Sequence, residues 1–95
     1  MLHFDVRFEW DPRKAQINKR KHDVSFEEAA GCFADSLAMV LIDHAHPDQL
    51  VLIGQSPACR LIFTVYAEKD ADVIRIISAR KATRAERRKY EEGAF

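Results

Sequence analysis

Arg60-Leu61-Ile62-Phe63-Thr64-Val65-Tyr66 and, beyond the turn Lys69-Asp70-Ala71-Asp72, Val73-Ile74-Arg75-Ile76-Ile77-Ser78-Ala79 decide the fold. In the first run Leu61, Phe63 and Val65 face one way, and Arg60, Ile62, Thr64 and Tyr66 the other. A period of two in β-branched and aromatic residues predicts a half-buried strand. The short polar link to the second run predicts that the two strands pair antiparallel.

Working upstream, residues 50–54 and 37–43 are two more apolar, β-rich runs, joined by His44-Ala45-His46-Pro47-Asp48-Gln49. Residues 2–10 alternate imperfectly, with Leu2, Phe4, Val6 and Phe8 opposite His3, Asp5, Arg7 and Glu9, and predict a first strand. Asp11-Pro12 supplies an N-cap and a proline at the first helical position. A helix over 12–21 follows, with a thin apolar face of Ala15 and Ile17. His22-Asp23-Val24 is a tight corner, and Ser25-Phe26-Glu27-Glu28 is a capping box opening a helix over 26–33. Thr83-x-x-Glu86 opens a last helix to about residue 92, stopped by Gly93. The order β-α-α-β-β-β-β-α gives an α+β class: an antiparallel sheet with helices packed on one face, in one domain over 1–95.

Composition narrows the function only by exclusion. A chain of 95 residues has one modest core and little room for a deep cofactor cleft. No apolar run approaches the ~18 residues of a membrane helix, and the N-terminus carries charges where a signal peptide needs apolar residues. Two cysteines without a C-x-x-C spacing fit a reducing cytoplasm, the expected location. Lys plus Arg and Asp plus Glu both number 15, yet residues 1–50 hold 6 basic and 9 acidic residues and residues 51–95 hold 9 and 6. Arg13, Lys14, Lys19, Arg20 and Lys21 form one basic block; Arg75, Arg80, Lys81, Arg84, Arg87, Arg88 and Lys89 form a second, broken only by Glu86. Such blocks are solvated helix faces or the footprint of a local anionic partner.

There is no Gly-rich phosphate loop, no G-x-S-x-G elbow and no Cys/His set at zinc spacing. Asp43, His44 and His46 sit in a proline-bearing loop and read as a turn rather than a metal site. The remaining side chains suit RNA cleavage by the substrate's own 2′-hydroxyl. That reaction needs a proton acceptor, a proton donor and cations around the phosphate, and neither metal nor cofactor.

Phe8-Glu9-Trp10-Asp11-Pro12-x-Lys14-Ala15, Asn18-x-x-Lys21-His22-x-Val24-Ser25-Phe26-Glu27-Glu28-Ala29, Ile53-Gly54-x-Ser56, Arg60-Leu61 and Arg75-Ile76-Ile77-Ser78-Ala79-Arg80-Lys81-Ala82-x-x-x-Glu86-Arg87-x-x-Tyr90-Glu91 together resemble the BrnT family of bacterial toxins. The resemblance covers residues 8–92. It implies a RelE-like fold and a type II toxin that cuts RNA without metal and arrests translation. It also implies a BrnA-like antitoxin, through which alone the pair touches operator DNA. The sequence departs from the family's usual glycines at Asp23 and Cys59, and from its usual threonine at Ala67.

His22 is the candidate for proton transfer, because imidazole exchanges protons near neutral pH; capping the helix is its other reading. Arg60, Arg75 and Arg80 are candidate catalytic cations on the phosphate. An offset of five on one strand places Arg75 and Arg80 on opposite faces unless Arg80 has left the strand. A carboxylate across the sheet is the alternative partner for Arg75. Arg60, Thr64 and Tyr66 form a cationic, aromatic row if their face is open. Lys21 and Lys81 are candidate RNA contacts. Trp10 either stacks on a base or joins the core, and Tyr90 packs the last helix. The rival function is a non-catalytic module that binds RNA or antitoxin within a repressor complex.

Overall fold

The structure is a computed structural model and describes residues 6–93. It runs β1 (Arg7–Glu9), α1 (Pro12–His22), α2 (Phe26–Gly31), a 3-10 turn (Cys32–Ala34), β2 (Met39–Ile42), β3 (Leu50–Gln55), β4 (Leu61–Asp70), β5 (Val73–Lys81) and α3 (Arg84–Gly93). The expected order and the α+β class hold. Residues 2–5 of the expected first strand lie outside the described residues.

The sheet order is β1-β5-β4-β3-β2. β2, β3, β4 and β5 pair antiparallel in succession, as their short links require. β1 departs from the antiparallel expectation and joins β5 in parallel, Phe8 opposite Ile74 and Glu9 opposite Arg75. Two helices separate β1 from β2, which frees β1 to reach the far edge of the sheet.

One face of the sheet carries the main core. Val24, Phe26, Ala29 and Cys32 from the α1–α2 region pack on Leu52, Ile62, Tyr66, Ile76 and Ala79. Ser25 caps α2 through its hydroxyl, which accepts from the Glu28 amide at 3.0 Å. Burial pushes the Cys32 thiol up to about 12, so it behaves as a small core hydrophobe.

The helices do not all share that face. α3 lies against the other side, where Tyr90 and Ala82 cover Val51, Ile53 and Leu61. The reason lies in β4: Leu61, Phe63 and Val65 form a second apolar row that also has to be covered. α3 has no buried residue of its own. It is held by its full capping box with Thr83 and by the Tyr90 hydroxyl, which donates to Asp35 at 2.7 Å.

α1 differs from its expected pattern. Ile17 is 52% exposed, and the buried residue is Asn18. Its side-chain amide donates to the carbonyl of Ala79 at 2.8 Å and accepts from the Ala79 amide at 3.1 Å. It also donates to the Val24 carbonyl at 2.9 Å. β1 pairs only as far as Arg75, so beyond it Asn18 takes the place of a neighbouring strand.

Candidate functional site

β5 organises the site through one irregularity. Val65 pairs with Ser78 and Tyr66 with Ile76, so Ile77 is an extra residue in β5. This bulge resets the alternation. Arg75, Ser78 and Arg80 pair with Ala67, Val65 and Phe63, which alternate along β4, so all three project from one face. The expectation that Arg75 and Arg80 face opposite ways is therefore corrected: Arg80 is still in the strand, and the bulge brings it round. The shared face is the one only partly covered by α3.

The Asn18 clamp sets α1 along the adjoining edge of β5. A shallow groove of about 200 Å³ forms there between Lys14, Ile17, Asn18, Lys21 and His22 of α1 and Ile77 and Ser78 of β5. Ser78 lines this groove and stands in the row between Arg75 and Arg80. Lys21 and His22 are thus continuous with the two arginines around the strand edge. His22 is half-buried and Lys21 exposed.

Both arginines are held. Arg80 lies over the Phe63 ring, 4.0 Å from its centroid, and grips both oxygens of Glu86 at 2.8 and 2.9 Å. That fork holds the Glu86 carboxyl below its ordinary value and raises the Arg80 guanidinium above its own. Arg75 donates to Glu9 of β1 at 2.8 Å, the carboxylate partner anticipated across the sheet. Among the described residues no ion pair engages Lys14 or Lys21.

Other candidates lie elsewhere. Arg60 sits at the β3–β4 turn and forks onto Glu28, which also accepts from the Ser56 hydroxyl at 2.7 Å. The Arg60 Nη2 of that fork also donates to the Asp23 carbonyl at 2.8 Å. Hydrogen bonding from Arg60 holds the Glu28 carboxyl below its ordinary value. Arg60 therefore braces the corner that follows His22. Tyr66 and Thr64 are 4% and 0% exposed under the helices, so the anticipated open row of Arg60, Thr64 and Tyr66 does not exist, and Tyr66 cannot stack on a base. That face is the core because α1 and α2 cover it. Trp10 packs edge-on against Phe26 at 5.9 Å, the core alternative. Lys81 is exposed but pairs with Ile62, so it stands on the opposite face from Arg80. Asp43 accepts from the Ala45 amide at 3.1 Å and contacts the His46 ring at 3.3 Å, as a loop-closing residue does.

Asn18, Glu9, Glu28 and Glu86 were not among the sequence candidates. The two capping-box glutamates carried a signal, since a glutamate at that position also has a second carboxylate oxygen to offer. Asp23 and Cys59, which replace usual glycines, have φ of 58° and 63°. Both positions are left-handed, which is why glycine suits them.

The family model for the ribonuclease toxin BrnT of type II toxin–antitoxin systems matches residues 10–86. The chain belongs to the BrnT family. The crystal structure of the Brucella abortus ribonuclease toxin BrnT superposes with a TM-score of 0.68 at 25% identity, covering 83% of this chain and 99% of that one. No curated protein matches the sequence. A BrnT-family chain is a ribonuclease toxin of a type II toxin–antitoxin system, with RNA as substrate and a cognate antitoxin as partner. Among the described residues no helix is long and apolar enough to cross a membrane.

Proposed function

We propose that this chain is a metal-independent endoribonuclease that acts in the cytoplasm, arrests translation and is neutralised by a BrnA-like antitoxin, through which the pair reaches operator DNA. One observation carries the catalytic part: the Ile77 bulge places Arg75, Ser78 and Arg80 on one open face beside the groove that holds Lys21 and His22.

RNA supplies its own nucleophile there. The 2′-oxygen attacks the adjacent phosphorus as the bond from phosphorus to the 5′-oxygen breaks. His22 takes the 2′-hydroxyl proton, and water protonates the departing 5′-oxygen. Lys21 and Arg80 carry the charge that builds on the non-bridging oxygens, and Arg75 holds a flanking phosphate. To meet phosphate in a bidentate manner, Arg80 exchanges the Glu86 carboxylate for the substrate. The products are a 2′,3′-cyclic phosphate and a 5′-hydroxyl. Arg60 acts by bracing the corner after His22.

The test is cleavage of total RNA by the purified, antitoxin-free chain in excess EDTA. Cleavage that falls at least a hundredfold in His22→Gln and in Arg80→Ala supports the reading. Intact RNA, or cleavage that needs added metal, overturns it. The binding-only reading draws on the carboxylate partners that Arg60, Arg75 and Arg80 all have. It requires His22→Gln to keep RNA affinity in a chain that never cleaves.

A further inference from the structure

The segment that carries β2 and β3 has a different chemistry from β5. Residues 22–59 contain no lysine or arginine and six carboxylates: Asp23, Glu27, Glu28, Asp35, Asp43 and Asp48. Arg60 engages Asp23 and Glu28. Asp35 and Asp43 bracket β2, which ends the sheet order, and no described strand pairs with its outer edge.

β2 also shows apolar side chains to solvent. Val40 and Ile42 are 54% and 64% exposed, and Leu37, just before the strand, is 55% exposed. Val40 pairs with Leu52 and Ile42 with Leu50, so both continue the core face past the cover of α2. An edge strand usually guards its free amides and carbonyls with charge or proline. The strand Met39-Val40-Leu41-Ile42 has neither.

We propose that the β2 edge docks an extended protein segment with alternating apolar residues and flanking lysines or arginines, which adds as a sixth strand; assigning that segment to the antitoxin rests on the toxin–antitoxin reading above. Backbone pairing supplies the register, and the row of Val40 and Ile42 receives the alternate side chains. Asp43 and Asp48 at one end and Asp35 at the other select basic flanks. RNA is disfavoured because residues 22–59 bring no lysine or arginine to meet phosphates and carboxylates flank the strand. A second copy of this chain is disfavoured because it brings the same acidic flanks to the same edge. β2 lies three strand spacings from β5, roughly 14 Å, so the segment docks without occupying the catalytic face.

The experiment co-expresses the chain with its cognate antitoxin and compares wild type with the double variants V40K/I42K and V40T/I42T. The threonine pair keeps β-branching and guards against misfolding of the lysine pair. Expected are at least tenfold weaker antitoxin binding for the lysine pair, a smaller loss for the threonine pair, and RNA cleavage by each free chain within twofold of wild type. In the wild-type complex, alternate β2 amides exchange hydrogen more slowly than in the free chain. Undiminished antitoxin binding by both pairs, or unchanged β2 exchange on complex formation, overturns the proposal. So does self-association of the free chain that V40K/I42K abolishes, since the occupant is then a second copy. A free chain that binds antitoxin but leaves RNA intact defeats the ribonuclease reading and leaves this comparison standing.

Discussion

The two faces of the sheet are built to different standards. Under α1 and α2, Val24, Ile62 and Thr64 are fully buried, and Phe26, Ile76 and Tyr66 nearly so. Under α3 only Val51, Ile53 and Leu61 are buried, and α3 buries none of its own residues. The first face holds the molecule together. The second is covered over the β3 side and leaves the β5 row of Arg75, Ser78 and Arg80 accessible. The tightly packed core and the proposed substrate face are separated by a single layer of strands.

The largest effect expected from this contrast comes from neighbouring residues of β4. Ile62→Ala should cost roughly 2–5 kcal/mol, whereas Val65→Ala, on the half-covered face, should cost about 1 kcal/mol. Urea denaturation of both variants measures the difference; equal losses would mean the faces are energetically alike. Asn18→Ala comes next, at roughly 2–3 kcal/mol, because it leaves the Ala79 amide and carbonyl buried without partners. Its signature is faster hydrogen exchange at Ala79, together with slower RNA cleavage as α1 loosens from the groove.

Tyr90→Phe removes only the hydroxyl held by Asp35 and should cost about 1 kcal/mol. Exchange should quicken in α3 and remain unchanged in α1 and α2. Acid should reach the same helix first. Burial works against the Asp35 carboxylate, but the Tyr90 hydroxyl and the Gln55 and Leu37 amides outweigh it and hold its pKa low. Glu86 is held low by Arg80. Depressed carboxylates lend stability that is complete above their ordinary values, near 4, and is lost as pH falls through the lowered ones. Amide exchange followed below pH 4 should therefore show α3 opening before the core helices. The smallest change is a gain. Cys59→Gly relieves a left-handed backbone and should raise stability by up to about 1 kcal/mol, read as a higher melting temperature.

Most of the architecture was legible because its signals are local. The alternation in 60–66, the polar turn before Val73 and the Ser25 and Thr83 boxes each fix an element within a few residues. The family motifs carried the ribonuclease assignment in the same way. What escaped depends on contacts between distant residues. Nothing in Ile76-Ile77-Ser78 announces which residue bulges, because the shift is set by pairing with Val65 and Tyr66. Without it the two arginines count as opposite. The row of Arg60, Thr64 and Tyr66 is closed because α1 and α2 cover it, and alternation within one strand does not say which face is covered. Arg60 looked free because its partner, Glu28, lies 32 positions away. Asn18 was overlooked because a polar residue in a thin helix is ordinarily solvated, and only the unpaired stretch of β5 makes it central.

The treatment of the sheet's two margins bears on how large an assembly can grow. Among the described residues the final strand on the β1 side has three residues, two of them charged, and beyond it Asn18 occupies the open stretch of β5. On the β2 side no described strand pairs with the outer edge. A sheet with two long bare margins can propagate strand upon strand into a fibre, whereas a short, charged strand at one margin opposes such growth. An inhibitor docked along β2 as proposed would hold the toxin by backbone pairing while the other margin stays closed to growth.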